Sequence, residues 1–309
     1  MITIPETDLV VHPLCLGSNI FGGNADEAES HLVMDAYRSH GGNFLDTADM
    51  YSQWVEGHVG GESEAIIGSW MNARGNRSEM VIATKVSKLD TRPGLSAKNI
   101  LAACEESLDR LQTDYIDLYY SHEDDQTVSF EETFAAYAQL IAEGKVRYIA
   151  ASNFTPARLR EAIAFSEANH LPAYIAVQDL YNLLDREVYE TEMAQTVAEL
   201  GISNLPFYAI ARGFLTGKYR PGFTEVDSKR AAGAREYATD KNYAVLSAMD
   251  EVAAAHNSSL AAIALGWLRA QPTVSAPIAS ARTVAQLEEI IQVVELSNAE
   301  VEKLSALSA

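Results

Sequence analysis

Residues 81–122 read Val81-Ile-Ala-Thr-Lys85, a polar connection, Lys98–Leu111, and then Ile116-Asp-Leu-Tyr-Tyr-Ser-His122. The first and last runs are short, mostly apolar and polar-ended. Parallel strands whose outer face is covered by helices look like this. Between them Ile100, Leu101, Cys104, Leu108 and Leu111 fall on one face of a helix. The same alternation extends both ways along the chain. Further strand candidates are Leu14–Ser18, Asn43–Thr47, Tyr148–Ser152, Tyr174–Gln178, Asn204–Ala209 and Val274–Ala279, which brings the total to eight.

Helical patterns separate these strands. Asp26-Glu-Ala-Glu29 reads as a capping box opening the first helix, and Ser129-Phe-Glu-Glu132 as another. Glu62–Ala73, Val188–Leu200, Ser259–Ala270 and Thr283–Val294 carry further helices. Thr155-Pro156 sets a cap before a proline at the first helical position. Eight strands, each followed by a helix, predict an α/β fold, a (β/α)8 TIM barrel. An open doubly wound sheet would want a G-x-G-x-x-G turn after its first strand, and Gly22-Gly23 lacks that spacing. Four segments are surplus to a minimal barrel: an N-terminal hairpin over Thr3–His12, a long connection over Arg212–Tyr237, and additional helices over Ala238–His256 and Ala299–Leu307. No linker or repeat interrupts residues 1–309, so one domain is expected.

The 309 residues carry a formal net charge of -20, which argues against nucleic acid or an anionic membrane as a partner. It also means that an anionic cofactor would need local cations. Hydrophobic residues at 48% suffice for a large core, and the two cysteines, Cys15 and Cys104, read as buried reduced thiols. No metal-ligand spacing is present. Pro5, Glu6 and Asp8 do not suit a signal peptide, and no apolar run reaches the roughly 18 residues of a membrane span. A cytoplasmic protein is expected, and nothing in the sequence sets its oligomeric state.

Barrel sites lie at the C-terminal strand ends. There the sequence sets Asp46, Lys85, His122, Ser152, Asn153 and Gln178, with Tyr51 just beyond Asp46. Carbonyl reduction needs a hydride at carbon and a proton at oxygen. A tyrosine hydroxyl can supply the proton, although its ordinary pKa is about 10. A neighbouring ammonium, Lys85, would lower that value, Asp46 would hold the ammonium, and His122 would orient the carbonyl oxygen. Singly, each residue type has a commoner structural use. Read from the residues alone, the four allow either a catalytic cluster or ordinary packing and capping.

These segments resemble the aldo-keto reductases. Asn43-Phe-Leu-Asp-Thr-Ala-Asp-Met-Tyr51, Gly61-Glu-Ser-Glu64, Ile82-Ala-Thr-Lys85, Asp114-Tyr-Ile-Asp-Leu-Tyr-Tyr-Ser-His122 and Gly144-Lys-Val-Arg-Tyr-Ile-Ala-Ala-Ser-Asn-Phe154 are similar to the family's motifs. So are Gln178 with Tyr181-Asn182-Leu183, and Arg212-Gly-Phe-Leu-Thr-Gly-Lys-Tyr219. The resemblance runs from about Leu16 to Leu296. It implies a catalytic tetrad of Asp46, Tyr51, Lys85 and His122, and NADP(H) as cofactor. Ser152, Asn153 and Gln178 would bind the nicotinamide carboxamide, and Phe207, where a tyrosine is usual, would stack on the ring. Gly17, Ser18, Asn19, Arg212, Lys218, Ser280, Arg282, Gln286 and Glu289 would complete the cofactor site. Arg282 would clamp the 2′-phosphate, and the helix opening at Thr283 would present its N-terminus to the same anion. Ala279-Ser280 and Ile290 depart from the family pattern of Pro-Gly and asparagine.

The loop after Tyr51 holds Trp54, Glu56 and His58. Trp54 and His58 are candidate substrate-pocket residues, and a sugar-like carbonyl is one substrate that such a loop would suit. The implied activity is NADPH-dependent reduction of an aldehyde or ketone. The rival on the same fold is a non-catalytic nicotinamide-nucleotide-sensing subunit. A metal-dependent barrel hydrolase fits poorly, because the first strand ends Leu16-Gly17-Ser18 without a His-x-His pair.

Overall fold

A computed structural model describes residues 1–222 and 231–309. Eight short parallel strands form its sheet: β1 (Cys15–Gly17), β2 (Phe44–Asp46), β3 (Val81–Val86), β4 (Ile116–Ser121), β5 (Val146–Ser152), β6 (Tyr174–Gln178), β7 (Ser203–Asn204) and β8 (Ile278–Ala279). Their order is β7-β6-β5-β4-β3-β2-β1-β8. The ring closes between β7 and the segment entering β8. Asn204 N donates to Thr273 O at 2.7 Å, Ser275 N to Asn204 O at 3.1 Å, and Ile278 N to Pro206 O at 2.9 Å. The fold is a (β/α)8 barrel.

β7 and β8 are shorter than the expected Asn204–Ala209 and Val274–Ala279. The reason is Pro206 and Pro277, which bring no N–H to a ladder. Strand parity divides the core in two. Phe44, Val81, Ala83, Leu118 and Tyr120 point into the barrel, and Ile4, Leu9 and Val11 of the N-terminal hairpin (Ile2–Thr3 paired with Val10–Val11) pack on the same cluster. Leu45, Ile82 and Tyr119, of the opposite parity, pack outward against the helices. Asp46 and Lys85 share the inward parity of Phe44 and Ala83, one layer higher. That is why they meet.

The helices follow the capping signals. α1 (Glu27–Ser39) opens on the reciprocal Asp26–Glu29 box, and α2 is Glu62–Arg74. α3 (Ala97–Leu111) buries Ile100, Cys104, Leu108 and Leu111. α4 (Phe130–Ala142) is capped by Ser129 and α5 (Pro156–Ala168) by Thr155. At Ser129 only half of the expected box forms, because Glu132 accepts from Ala97 N instead. The helix expected over Val188–Leu200 begins as a π turn, Tyr189–Met193, before α6 (Ala194–Glu199). Tyr189 is drawn inward there, its ring tilted against that of Tyr181 at 4.5 Å and its hydroxyl on Thr273 Oγ1 at 2.9 Å.

α7 (Ala231–Arg235), α8 (Asp240–His256), α9 (Leu260–Arg269), α10 (Val284–Ile290) and α11 (Asn298–Ser308) complete the chain. Residues 223–230, in the middle of the expected long connection, lie outside the described residues. α10 stops at Ile290 rather than Val294. Carbonyls along its end are taken by α9 and its cap, Ser259 Oγ bonding Glu289 O and Arg269 Nη2 bonding Val294 O. Cys15 and Cys104 are buried and free. Among the described residues no helix is long and apolar enough to cross a membrane.

Candidate active site

Lys85 stands at the centre of the C-terminal mouth. Its side chain is fully buried, and Nζ donates to Asp46 Oδ2 at 2.7 Å, Thr47 O at 2.7 Å and Tyr51 Oη at 2.9 Å. Three acceptors match the three protons of an ammonium. Asp46 is held on its other oxygen by Gln178 Nε2 at 2.8 Å. Tyr51 reaches Asp46 Oδ2 at 3.3 Å, and its ring lies 6.1 Å from that of His122. The tetrad expected from sequence is therefore assembled in one place.

Burial pushes the Lys85 pKa down, and the Asp46 carboxylate pulls it back up. Burial, followed by Asp46, raises the Tyr51 phenol well above its ordinary value. This corrects the expectation that Lys85 lowers it. The ammonium serves Asp46 as much as Tyr51, and the shared carboxylate opposes a phenolate. Tyr51 rests as a neutral phenol carrying its proton. His122 is pushed well below 6.5 by burial and by Lys85 and Lys88, so it is neutral. Its Nδ1 holds no hydrogen bond among the described residues.

A cavity of about 270 Å³ opens over these groups. Ser152, Asn153 and Gln178 form one wall, tied to each other: Ser152 Oγ donates to Gln178 O at 2.8 Å, and Asn153 Nδ2 to Ser152 Oγ and His122 O at 2.9 Å each. Asn153 sits in the left-handed region, φ 56°. Phe207, Asn19, Arg212 and Ser280 also line the cavity, with Asn19 Oδ1 accepting from Ser280 Oγ at 3.0 Å. Gly17 lines it too. A Cβ there would lie 2.9 Å from both Ile278 Cγ2 and Ser280 Oγ, which makes glycine the residue that fits.

A second cavity of about 170 Å³ continues from the first, sharing Ile210, Arg212 and Ser280. Lys218, Arg282, Gln286 and Glu289 line it. Among the described residues Arg212 meets Glu236 at 3.4 Å, whereas Lys218 and Arg282 have no ion pair. The Arg282 backbone N–H is already bonded to Gln286 Oε1 at 3.0 Å, and Gln286 N to the Thr283 side chain. Two N–H groups around the start of this helix are thus taken, and the Lys218 and Arg282 side chains line the cavity beside them.

Two expected residues lie elsewhere. Ser18 is fully buried, its hydroxyl donating to Asp46 O at 2.8 Å and accepting from Ser63 Oγ at 2.7 Å, so it braces β2 instead of facing the cleft. His58 is outside the cavity wall. Glu62 pulls its loop aside by accepting from Val59 N and Gly60 N, and His58 faces Glu62 at 4.0 Å. Glu56 is exposed and also outside the wall. The loop thus offers the chamber the indole of Trp54, not the imidazole and carboxylate expected for a sugar-like carbonyl. Lys88, Tyr208 and Ile210, which sequence reasoning missed, do line the cavity. Lys88 lies three residues beyond Lys85 in an antiparallel ribbon, Lys88–Leu89 with Arg92–Pro93, that no turn signal had suggested.

Among known proteins, the chain is similar to the uncharacterized oxidoreductase YrpG of Bacillus subtilis, 34% identical over 94% of this chain and 90% of that protein. It is similar to Protein tas of Escherichia coli, 31% identical over 96% and 93%. A probable voltage-gated potassium channel subunit beta of Arabidopsis thaliana is 30% identical over 94% and 76%. Fold and relatives together define an oxidoreductase barrel. The sequence model of the aldo/keto reductase family matches residues 13–309, and the chain belongs to that family.

Proposed function

We propose that the protein reduces an aldehyde or ketone with NADPH, Tyr51 giving the proton. The observation that carries this is the Lys85 ammonium bound at once to Asp46 and to the Tyr51 hydroxyl at the floor of an open cavity. Bound in the cleft, the reduced nicotinamide would supply a hydride to the carbonyl carbon. Tyr51, neutral and half-buried, gives its proton to the carbonyl oxygen as negative charge develops there. Lys85 then stabilises the phenolate that remains. Neutral His122 donates a hydrogen bond to the same oxygen and orients it.

The residues present fit the cofactor. The nitrogens of Asn153 and Gln178 are bonded within the protein, so their amide oxygens are left to accept from a carboxamide N–H. Phe207 gives a ring face. Arg212, Lys218 and Arg282 concentrate positive charge along the second cavity of a -20 protein, which suits a phosphate-rich ligand and favours NADPH over NADH. Residues 1–309 act in this reading as one unit.

Similarity to a channel subunit leaves a second reading, a subunit that senses the nucleotide without steady turnover. Steady-state assays of wild type and Tyr51→Phe over a carbonyl panel decide between them. Multiple turnovers in wild type and a loss of about 10²–10⁴-fold in Tyr51→Phe, with NADPH binding retained, are expected of the reductase. A single turnover of bound NADPH would favour the sensor, and full activity in Tyr51→Phe would refute the proton assignment.

A further inference from the structure

The chain holds 43 acidic and 23 basic residues, yet the wall of the larger cavity has the opposite balance. Among the described residues Asp46 is its lone carboxylate, and it is neutralised by Lys85. Two cations, Lys88 and Arg212, also line it. Arg212 belongs to the cofactor end, since it is shared with the second cavity beside Lys218 and Arg282. Lys88 does not. It follows β3, and in the ring order β3 is diametrically across from β7, whose loop carries Arg212. Lys88 therefore stands over the side bounded by Trp54 and His122, away from the groups that would hold the nucleotide.

The backbone of Lys88 is anchored. It pairs with Pro93 in the ribbon, and its carbonyl accepts from Gln53 Nε2 at 3.3 Å. Among the described residues its ammonium is held by Glu123 alone, at 3.2 Å, with the two side chains 35% and 45% exposed. A pair that open contributes little and is easily exchanged for another carboxylate. The neutral His122 places no positive competitor beside it. The indole of Trp54 offers an apolar wall on the same side.

We propose that Lys88 forms an anion subsite, and that the natural substrate is a carbonyl compound bearing a carboxylate remote from the reacting carbon. Glu123 occupies the ammonium until the substrate carboxylate replaces it. This rests on the reductase reading above for the position of the carbonyl, though not for the anion site itself.

The test compares 4-formylbenzoate with its neutral methyl ester at saturating NADPH. In wild type, kcat/KM should favour the anion. In Lys88→Met that ratio should fall about tenfold, through KM rather than kcat, in line with loss of a charged hydrogen bond. Lys88→Arg should keep the preference and Glu123→Gln should increase it. An unchanged ratio in Lys88→Met overturns the proposal. Calorimetric titration of benzoate gives a reading free of turnover. Weaker binding to Lys88→Met than to wild type supports the subsite, and equal binding overturns it. Lys88-dependent benzoate binding in a protein that reduces neither aldehyde would uphold the subsite and fault the reductase reading alone.

Discussion

Lys85 and Asp46 form an ion pair 2.7 Å long in which the lysine side chain is 0% and the aspartate 3% exposed. Two charges so far from water persist because each is further bonded, Lys85 to Thr47 O and Tyr51, Asp46 to Gln178. Removing one partner strands the other. Lys85→Met should lower stability by about 3–5 kcal/mol. The Asp46→Asn/Lys85→Met double variant should recover part of that loss while remaining inactive. Urea denaturation of the two single variants and the double measures the coupling, and strict additivity would show that the pair does not act as a unit.

His122 is expected to stay neutral across the working range. Its folded pKa lies well below 6.5, held down first by burial. Between the folded and unfolded values the unfolded chain binds the extra proton, so stability falls as the pH is lowered through that window. The imidazole nitrogen shifts, followed by NMR, should show no protonation of His122 from pH 8 down to 6. A midpoint near 6.5 would contradict the burial that the structure describes.

Arg282→Ala should separate the two nucleotides. The guanidinium lines the second cavity without an ion pair among the described residues. A charged bidentate contact to a phosphate contributes on the order of 1.5–3 kcal/mol. Affinity for NADPH should drop about tenfold or more, while that for NADH changes less than about twofold. Fluorescence titration at fixed ionic strength reads both. Equal losses would mean that Arg282 does not contact the 2′-phosphate.

Asp49 lies in the connection between β2 and Tyr51, 1% exposed, and neither carboxylate oxygen has a hydrogen-bond partner among the described residues. Burial, and then Glu64, pushes its pKa up to about 7 from an ordinary 3.8. Between those values the unfolded state ionises and the folded state resists, so stability falls as pH rises from 4 to 7. Asp49→Asn should remove that slope and stabilise the protein at pH 8 by about 4 kcal/mol. Thermal midpoints at pH 5 and pH 8 test this, and an unaltered difference between them would refute it.

The sequence by itself determined the barrel and which polar residues gather at its mouth. Alternating short apolar runs and amphipathic helices admit few architectures. Polar residues at strand ends can only gather at one mouth, so Asp46, Lys85, His122, Asn153 and Gln178 were legible as a set. Pattern carries which face a strand residue takes, because side chains alternate with a period of two. It does not carry where a loop is pulled. Only the tertiary structure turned Ser18 inward onto Asp46 O, drew His58 toward Glu62, cut β7 and β8 short at Pro206 and Pro277, and folded a ribbon that brings Lys88 to the cavity. It also decided the state of Tyr51. Whether Lys85 lowers that phenol or Asp46 and burial raise it depends on distances and desolvation between groups from different strands, and no local sequence encodes those.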